Sequence, residues 1–254
     1  MLSIYTIPCL SDNYSYVIHD EISNLVGVVD PSEFNAVDNF ISKRLKKIDY
    51  IFNTHHHFDH VGGNKQLKKK YSTKIVGSKI DSERIPEIDF FLNDGDNFKF
   101  GEISFNILFV PGHTNGHIAF YSKKEKVVFT GDALFSLGCG RIFEGTHNQM
   151  FNSINKLKKL PKETRIFCGH EYTKKNLDFC LKFESDNGFL LKKKNWVIGK
   201  IKKGLPTVPV KLEEELNTNI FLRCDNKALK NKLKMNGSKD ELIFEKLRNL
   251  RDQF

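Results

Sequence analysis

Residues 54–60 read Thr-His-His-His-Phe-Asp-His, which places four histidines and one aspartate within seven positions. Such a density of imidazole and carboxylate groups is costly in an apolar core, because every buried polar group needs a partner. Side chains alternate along an extended segment, so His55 and His57 are expected on the same side of the chain. A helix beginning within the segment would carry Asp59 and His60 on its first turn. The segment therefore predicts two pairs of ligands around one cavity, which suits two metal ions better than one.

Three more candidate ligands lie far along the chain, each directly behind a short apolar run. They are His113, Asp132 and His170. Residues that follow neighbouring strands of an α/β sheet converge on one crevice, so these side chains are expected to join the histidine segment. Imidazole and carboxylate ligands suit zinc, and they also suit iron or manganese.

Apolar runs and turn residues predict a mixed fold whose first two thirds are rich in strands. Strands are predicted over residues 14–18, 25–29, 48–53, 74–76, 103–110, 118–121, 127–130 and 165–168. Helices are predicted over 34–45, 65–71 and 150–160, and in the last third over 176–183, 187–203 and 229–250. Ser32 is expected to cap the first of these helices.

A change of composition near Thr173 predicts two domains, a catalytic domain over 1–173 and a helical, substrate-binding domain over 174–254. Charge follows the same division, because residues 1–173 carry a net charge of +1 and residues 174–254 carry +8. The basic region fits a surface for an anionic ligand, nucleic acid included, and equally fits a lysine-rich solvated surface.

The overall composition is that of an ordinary globular protein, with 39% hydrophobic and 28% charged residues among 254. No apolar run approaches the roughly 20 residues that a membrane-spanning helix needs. Five cysteines without a CxxC pair argue against a disulfide framework and against a cysteine-ligated zinc site. Residues 1–14 hold no Lys or Arg and do not have the pattern of a signal peptide, so a reducing cytoplasm is expected.

Four motifs in this order resemble the metallo-β-lactamase superfamily: THHHFDHVGG at 54–63, PGHTNGH at 111–117, TGDALF at 130–135 and CGHEYT at 168–173. Within the superfamily the chain is similar to the glyoxalase II family of hydroxyacylglutathione hydrolases. The segments that narrow the resemblance are GCGRIFEGT, CGHEYT and the terminal RNLRDQF, with further matches in DNYSYVI and LPTVP. The resemblance implies an α+β fold, an αββα sandwich followed by a smaller C-terminal helical domain.

The resemblance also implies how seven side chains divide between two divalent metal ions, zinc first, with iron or manganese as alternatives. One ion would be held by His55, His57 and His113, and the other by Asp59, His60 and His170, with Asp132 bridging them. A hydroxide between the ions would attack a thioester carbonyl, and Asp59 would orient that hydroxide. The implied reaction converts S-D-lactoylglutathione to D-lactate and glutathione, the second step of methylglyoxal detoxification.

Five further residues match family positions that bind glutathione. They are Arg141, Phe143, Tyr172, Arg248 and Arg251, the last at a position where the family often has lysine. The resemblance implies a small-molecule substrate, and we expect a monomer that binds neither nucleic acid nor membranes. Asp30, at a strand end, is expected to brace the metal-binding loop, and His56 and His117 are expected outside the ligand set.

Three other functions compete with the thioester hydrolase. A glutathione persulfide dioxygenase of the same superfamily would use one iron, but the long basic C-terminal region and RNLRDQF speak against it. A metal-dependent nuclease would explain the basic region, yet no RNA-binding module is recognisable. A non-enzymatic scaffold would leave the His/Asp set without a purpose.

Overall fold

The computed structural model describes residues 1–254, which fold as two compact units. The first unit comprises Met1–Phe109 and Asn115–Gly131, and the second comprises Val110–Thr114 and Asp132–Phe254. The domain boundary near Thr173 that composition suggests stays a prediction. None of the helices combines the length and the apolar character that crossing a bilayer requires.

The first unit contains a six-stranded sheet whose strands follow chain order. They are β1 (Leu2–Cys9), β2 (Asn13–Asp20), β3 (Leu25–Val29), β4 (Tyr50–Phe52), β5 (Lys74–Ser78) and β6 (Phe90–Leu92). The pairs β1–β2 and β2–β3 are antiparallel, and β3 through β6 are parallel. Parallel strands bring their carboxyl ends to one sheet edge, so the residues after β3 and β4 lie side by side there.

Four antiparallel strands form a second layer in the same unit, in the order β10-β9-β8-β7. Their bounds are β7 (Asn97–Phe100), β8 (Ile103–Phe109), β9 (Ile118–Ser122) and β10 (Val127–Gly131). The ring of Phe52 on β4 lies edge-on to those of Phe105 and Phe120, with centroids 5.7 and 5.4 Å away. These fully buried rings form an aromatic core between the two layers.

Three helices complete the first unit: α1 (Phe34–Arg44), α2 (Phe58–Val61) and α3 (Asn64–Tyr71), with a 3₁₀ turn at Lys79–Asp81. The predicted Ser32 cap is wrong, because α1 is preceded by Glu33, whose side chain makes no capping hydrogen bond. Ser32 is instead buried against Ser15, whose hydroxyl accepts from the Ser32 backbone N–H at 3.0 Å.

The second unit holds the short hairpin β11 (Leu134–Phe135) and β12 (Gly138–Cys139), and the antiparallel pair β13 (Arg165–Cys168) and β14 (Val210–Lys211). Its helices are α4 (His147–Lys158), α5 (Thr173–Glu184), α6 (Gly188–Lys202), α7 (Leu212–Thr218), α8 (Lys227–Lys232) and α9 (Asp240–Asp252), with a 3₁₀ turn at Ile220–Arg223.

The single helix predicted over 229–250 is wrong, because the chain leaves helical geometry between α8 and α9. Lys234 and Gly237 take left-handed backbone angles there, with φ of 58° and 77°. A left-handed residue ends an α-helix, and glycine adopts this conformation at little cost. The break gives α9 its own start, and α9 carries Arg248 and Arg251.

Candidate metal centre

The first unit gathers four of the predicted ligands directly behind β4. His55 is buried, His57 is half-buried, and the short helix α2 begins at Phe58 and carries Asp59 and His60, as the sequence predicted. The ring centroids of His57 and His60 lie 4.8 and 4.1 Å from that of His55. The imidazoles therefore form one cluster at the sheet edge.

Asp30, the residue after β3, fixes this cluster. Its Oδ1 accepts from the Thr54 backbone N–H at 2.8 Å, and its Oδ2 accepts from the Thr54 hydroxyl at 2.7 Å. Oδ2 also lies 3.1 Å from His60 Nδ1. Asp30, His55 and His60 present polar atoms within 4.8 Å of one another. The expected bracing role of Asp30 is confirmed.

These contacts decide which ring nitrogen of two histidines carries the proton. A carboxylate only accepts hydrogen bonds, so the Nδ1 of His60 is the protonated nitrogen facing Asp30. The Thr54 hydroxyl already donates to Asp30 and therefore accepts from His55 Nδ1 at 3.0 Å. In a neutral imidazole this leaves the lone pair on Nε2, the arrangement typical of a metal-ligating histidine with an oriented second nitrogen.

Asp59 is held by Asn13, a residue for which the sequence predicts no role. Asn13 Nδ2 donates to Asp59 Oδ2 at 2.9 Å and to the Asp59 carbonyl oxygen at 3.1 Å. The same Oδ2 lies 3.6 Å from His60 Nε2, and the Asp59 side chain is 37% exposed. Asn13 belongs to the DNYSYVI motif, so the family resemblance pointed to this segment, but the motif does not indicate which residue Asn13 contacts.

The second unit brings together the other three predicted ligands. Asp132 Oδ2 lies 3.4 Å from His113 Nε2 and 3.2 Å from His170 Nε2, and all three residues are buried. His113 Nδ1 donates to the Arg141 carbonyl oxygen at 2.7 Å, which again directs the Nε2 lone pair toward the carboxylate. One carboxylate oxygen therefore faces two imidazoles at once.

The donor sets fit divalent metal ions. Ligands about 2.0–2.1 Å from a tetrahedral zinc lie about 3.3 Å from one another, close to the Asp132–His113 and Asp132–His170 separations. Carboxylate oxygens and nitrogen lone pairs facing one another at such distances repel unless a cation lies between them. The sets contain only imidazole and carboxylate groups, which fit zinc, iron and manganese alike.

Two other histidines near the cluster have separate contacts. His56 Nδ1 lies 3.2 Å from Asp81 Oδ2, and Asp81 is fully buried. The ring of His117 stacks on that of His55 with centroids 4.6 Å apart and planes 17° apart. These contacts join the histidine segment to Asp81 and to His117.

Three of the five predicted substrate residues lie around the ligands of the second unit. The ring of Tyr172 stacks on that of His170 at 4.6 Å with planes 8° apart. The Phe143 ring is 62% exposed and lies edge-on to the His113 ring at 5.2 Å. The Arg141 guanidinium lies 5.8 Å from the Phe143 ring centroid. Exposed Phe143 and Arg141 and half-buried Tyr172 thus lie beside the buried ligands.

Arg248 and Arg251 bind protein groups in the structure. Arg248 is only 4% exposed, and its Nη1 donates to the carbonyl oxygens of Cys139 and Gly140 at 2.8 and 3.4 Å. Arg251 donates from Nε and Nη2 to Asn176 Oδ1 at 3.3 and 3.1 Å. A substrate contact for either arginine stays a prediction. The hydrogen bonds of Arg248 to Cys139 and Gly140, directly before Arg141, are observed.

Asp252 links two of these cations. Its Oδ1 lies 3.4 Å from Arg141 Nε and accepts from Arg248 Nη2 at 3.0 Å. The sequence did not single out Asp252, although it belongs to the RNLRDQF match. It holds the exposed Arg141 beside the buried Arg248.

Comparison with known proteins agrees with the site chemistry. Residues 11–170 match the family model of the metallo-beta-lactamase superfamily, and residues 171–254 match that of the hydroxyacylglutathione hydrolase C-terminus. Two relatives are called hydroxyacylglutathione hydrolase. The one from Pelagibacter ubique is 48% identical over all of both chains, and the one from Methylococcus capsulatus is 42% identical over 100% of this chain and 99% of its own.

Among solved structures, the BLEG-1 B3 metallo-beta-lactamase superposes with a TM-score of 0.66 at 21% identity, covering 87% of this chain and 99% of that one. At this identity the likeness concerns the fold, and it confirms the predicted α+β metallo-β-lactamase class. A family model spanning most of the chain and relatives similar over its whole length agree with each other. The chain belongs to the hydroxyacylglutathione hydrolase family of the metallo-beta-lactamase superfamily.

Proposed function

We propose that this chain hydrolyses the thioester of S-(2-hydroxyacyl)glutathione, chiefly S-D-lactoylglutathione, to D-lactate and glutathione. The observation that carries the proposal is the match of residues 171–254 to the hydroxyacylglutathione hydrolase C-terminus. The histidine motif is common to a superfamily with several reactions, and this C-terminal region distinguishes the glutathione thioester hydrolases from the other members. It also contains Tyr172, Arg248 and Arg251.

The seven predicted ligands would hold two divalent ions, with zinc the first expectation and iron or manganese the alternatives. His55, His57 and His113 would hold one ion, Asp59, His60 and His170 the other, and Asp132 both. Support comes from the two donor clusters and from the position of Asp132 Oδ2 between two imidazoles. Divalent ions so placed lower the pKa of water from 15.7 to about 7 and polarise a carbonyl oxygen.

The chain's own residues would orient the reactants. Asp59, which Asn13 holds at 2.9 Å, would accept a hydrogen bond from the attacking water and fix its direction. Arg141 would bind a carboxylate of glutathione, and Phe143 and Tyr172 would contact its peptide backbone. The departing thiol needs no protonation by the protein, because an ordinary cysteine thiol has a pKa of only about 8.5.

Replacing Arg141 by alanine is expected to raise KM for S-D-lactoylglutathione about tenfold and to change kcat little. The side chain is 57% exposed, so its loss removes substrate binding without a large cost to folding. Steady-state kinetics measure both constants. Lys194→Ala, which removes an exposed positive charge from the same unit, is the control and should leave KM unchanged. A drop in kcat at constant KM would contradict the binding role of Arg141.

Thiol alkylation at pH 8 is expected to leave hydrolysis unchanged. Burial raises the pKa of Cys168 and of Cys180 to about 12. At a pH far below these values only on the order of 0.01% of each thiol is the reactive thiolate. All five cysteines are buried thiols, so native and denatured samples should take up iodoacetamide very differently by mass spectrometry. Inactivation in step with labelling would show that a cysteine takes part in the reaction.

One assay series separates the candidate reactions. Purified protein loaded with zinc, iron or manganese is given S-D-lactoylglutathione and thiol release is measured; glutathione persulfide and single-stranded RNA are tested in parallel. Thiol release without oxygen uptake or RNA cleavage supports the proposal. Oxygen uptake with persulfide, or RNA cleavage, in the absence of thiol release would overturn it in favour of the corresponding alternative.

The proposal includes the setting in which the chain acts. Glutathione and five cysteines that form no disulfide both fit a reducing compartment, so we place the activity in the cytoplasm. We expect a monomer that acts on free glutathione thioesters and binds neither nucleic acid nor membranes. Light scattering on protein eluting from a size-exclusion column, with and without RNA, tests the monomeric state and the absence of RNA binding, and sedimentation with lipid vesicles tests the absence of membrane binding.

A further inference from the structure

The hairpin β11–β12 connects Asp132 to Arg141 and makes its turn at Ser136 and Leu137. Leu137 is fully buried and has a left-handed backbone, with φ of 61°. A turn whose second central residue has a positive φ favours Gly or Asn at that position, because a Cβ atom is strained in this conformation. The turn therefore needs contacts from elsewhere in the second unit to hold it.

On the carbonyl side of the turn, Asn176 Nδ2 and Cys180 Sγ of α5 donate to the oxygens of Ser136 and Leu137 at 3.0 and 3.3 Å. The acceptor for its donor groups is one buried glutamate on α7. Glu215 Oε2 accepts from the Leu137 backbone N–H at 2.6 Å, and Oε1 accepts from the Ser136 hydroxyl at 3.3 Å. Asn219, one helical turn later, donates to Glu215 Oε2 at 3.1 Å and to the carbonyl oxygen of Gly138 at 3.1 Å. Glu215 is thus the central acceptor of the group that holds the turn.

Burying the carboxyl group of Glu215 costs folding free energy. Glu215 is fully buried, and burial raises the pKa of its carboxyl group above the ordinary value. A buried carboxylate is tolerated when several donors reach it, as the backbone of Leu137 and the side chains of Ser136 and Asn219 do here. Conversely, loss of the Glu215 carboxylate would remove the acceptor of the Leu137 N–H, a backbone donor in a fully buried residue.

The hairpin is short enough to transmit a movement of its turn to its base. The Gly140 backbone N–H donates to the Ala133 carbonyl oxygen at 3.2 Å, and a Cβ on Gly140 would collide with the Asp132 carbonyl oxygen. Asp132 and Arg141 therefore leave the hairpin from two strands in close contact. Arg248 holds the Cys139 side of the base, and Glu215 holds the opposite end at the turn.

We propose that Glu215 is a positioning residue for glutathione binding, which holds the β11–β12 turn so that Arg141 is presented at a fixed place. The role in substrate binding rests on the function proposed above. The fixing of the turn does not, because it consists of hydrogen bonds of Glu215 with Ser136, Leu137 and Asn219. Helix α7 would then help to shape the substrate site through the hairpin, whereas α9 would contribute cations to that site.

Two substitutions of similar volume distinguish the effect of losing the hydrogen-bond acceptor from the effect of changing the packing. Glu215→Gln retains an amide oxygen that accepts from Leu137 and Asn219, whereas Glu215→Met fills the same space without an acceptor. Leu229→Ala, in the buried face of α8, is the control for general destabilisation. All three variants are studied as full-length, metal-loaded protein, with thermal unfolding recorded for each.

Amide hydrogen exchange tests whether Glu215 fixes the β11–β12 turn, and it does so without measuring activity. Amides of residues 133–141 are expected to exchange at least about tenfold faster in Glu215→Met than in the wild type, and at the wild-type rate in Glu215→Gln and Leu229→Ala. Equal protection of this segment in Glu215→Met and the wild type would overturn the proposal. This readout stands even if the wild-type protein hydrolyses no glutathione thioester, which would refute the proposed function alone.

Kinetics test the consequence for the substrate. We expect Glu215→Met to raise KM for S-D-lactoylglutathione about tenfold, with kcat lowered as well because the same hairpin begins directly after Asp132, and we expect Glu215→Gln to restore KM. A merely structural residue would instead lower the active fraction, and so kcat at constant KM, as expected of Leu229→Ala. An unchanged KM in Glu215→Met, or equal effects of Met and Gln, would overturn the positioning role.

Discussion

Replacing Asp132 by alanine is expected to abolish thioester hydrolysis and to lower the metal content of the purified protein. Its Oδ2 lies 3.4 and 3.2 Å from the Nε2 atoms of His113 and His170, so one substitution weakens two ligand pairs at once. We expect kcat/KM to fall by more than about 10³-fold, beyond the 10²–10³ typical of losing a single transition-state hydrogen-bond donor.

Metal analysis by plasma mass spectrometry and thiol release on the same sample measure both effects. Asp178→Ala is the control, because it removes an exposed carboxylate of α5 that pairs only with Lys174 on the surface. The control should retain wild-type metal content and activity. Full activity in a metal-free Asp132→Ala protein would show that the reaction does not use the proposed centre.

Replacing Asp30 by alanine is expected to lower both metal affinity and stability, although Asp30 is not itself a predicted ligand. The change leaves three buried donors without their acceptor, the N–H and hydroxyl of Thr54 and the Nδ1–H of His60. Loss of such an outer contact typically costs 10–100-fold in metal affinity, and we expect that range here. Buried donors left unpaired at about 1–3 kcal/mol each predict a stability loss of about 3 kcal/mol or more.

Competition with a chelator gives the affinity, and urea unfolding gives the stability. Asp30→Asn is the matched variant, because its amide oxygen retains one acceptor while its NH₂ group opposes a donor, so an intermediate loss is expected in both measurements. Wild-type metal affinity in Asp30→Ala would mean that the orientation of His60 does not depend on this carboxylate.

The histidine segment could be predicted from sequence because its geometry is local. A strand end followed by one helical turn brings the side chains of His55, His57, Asp59 and His60 close together in space, and the structure has that arrangement. Asp30 was predictable for a similar reason, since parallel pairing of β3 with β4 places their carboxyl ends together.

The contacts of the second unit could not be predicted in this way, because they join residues far apart in the chain. Arg248 donates to Cys139 across 109 positions, and Glu215 accepts from Leu137 across 78. In the sequence, Glu215 is one of three consecutive glutamates that resemble a solvated helix face. Only the packing of α7 distinguishes the buried one from its exposed neighbours Glu213 and Glu214.

The break between α8 and α9 illustrates a different limit. The helix predicted over 229–250 includes residues 233–239, but the positive φ angles of Lys234 and Gly237 end helical geometry there. Glycine was visible in the sequence, whereas the left-handed Lys234 was not, because lysine ordinarily favours a helix interior.

Anomalous diffraction at the zinc edge, from crystals of zinc-loaded protein, tests the central claim most directly. We predict two zinc peaks, one contacted by His55, His57 and His113, the other by Asp59, His60 and His170, with Asp132 contacting both. A single peak, peaks away from these seven side chains, or no peak in zinc-loaded protein that hydrolyses S-D-lactoylglutathione would contradict a binuclear centre.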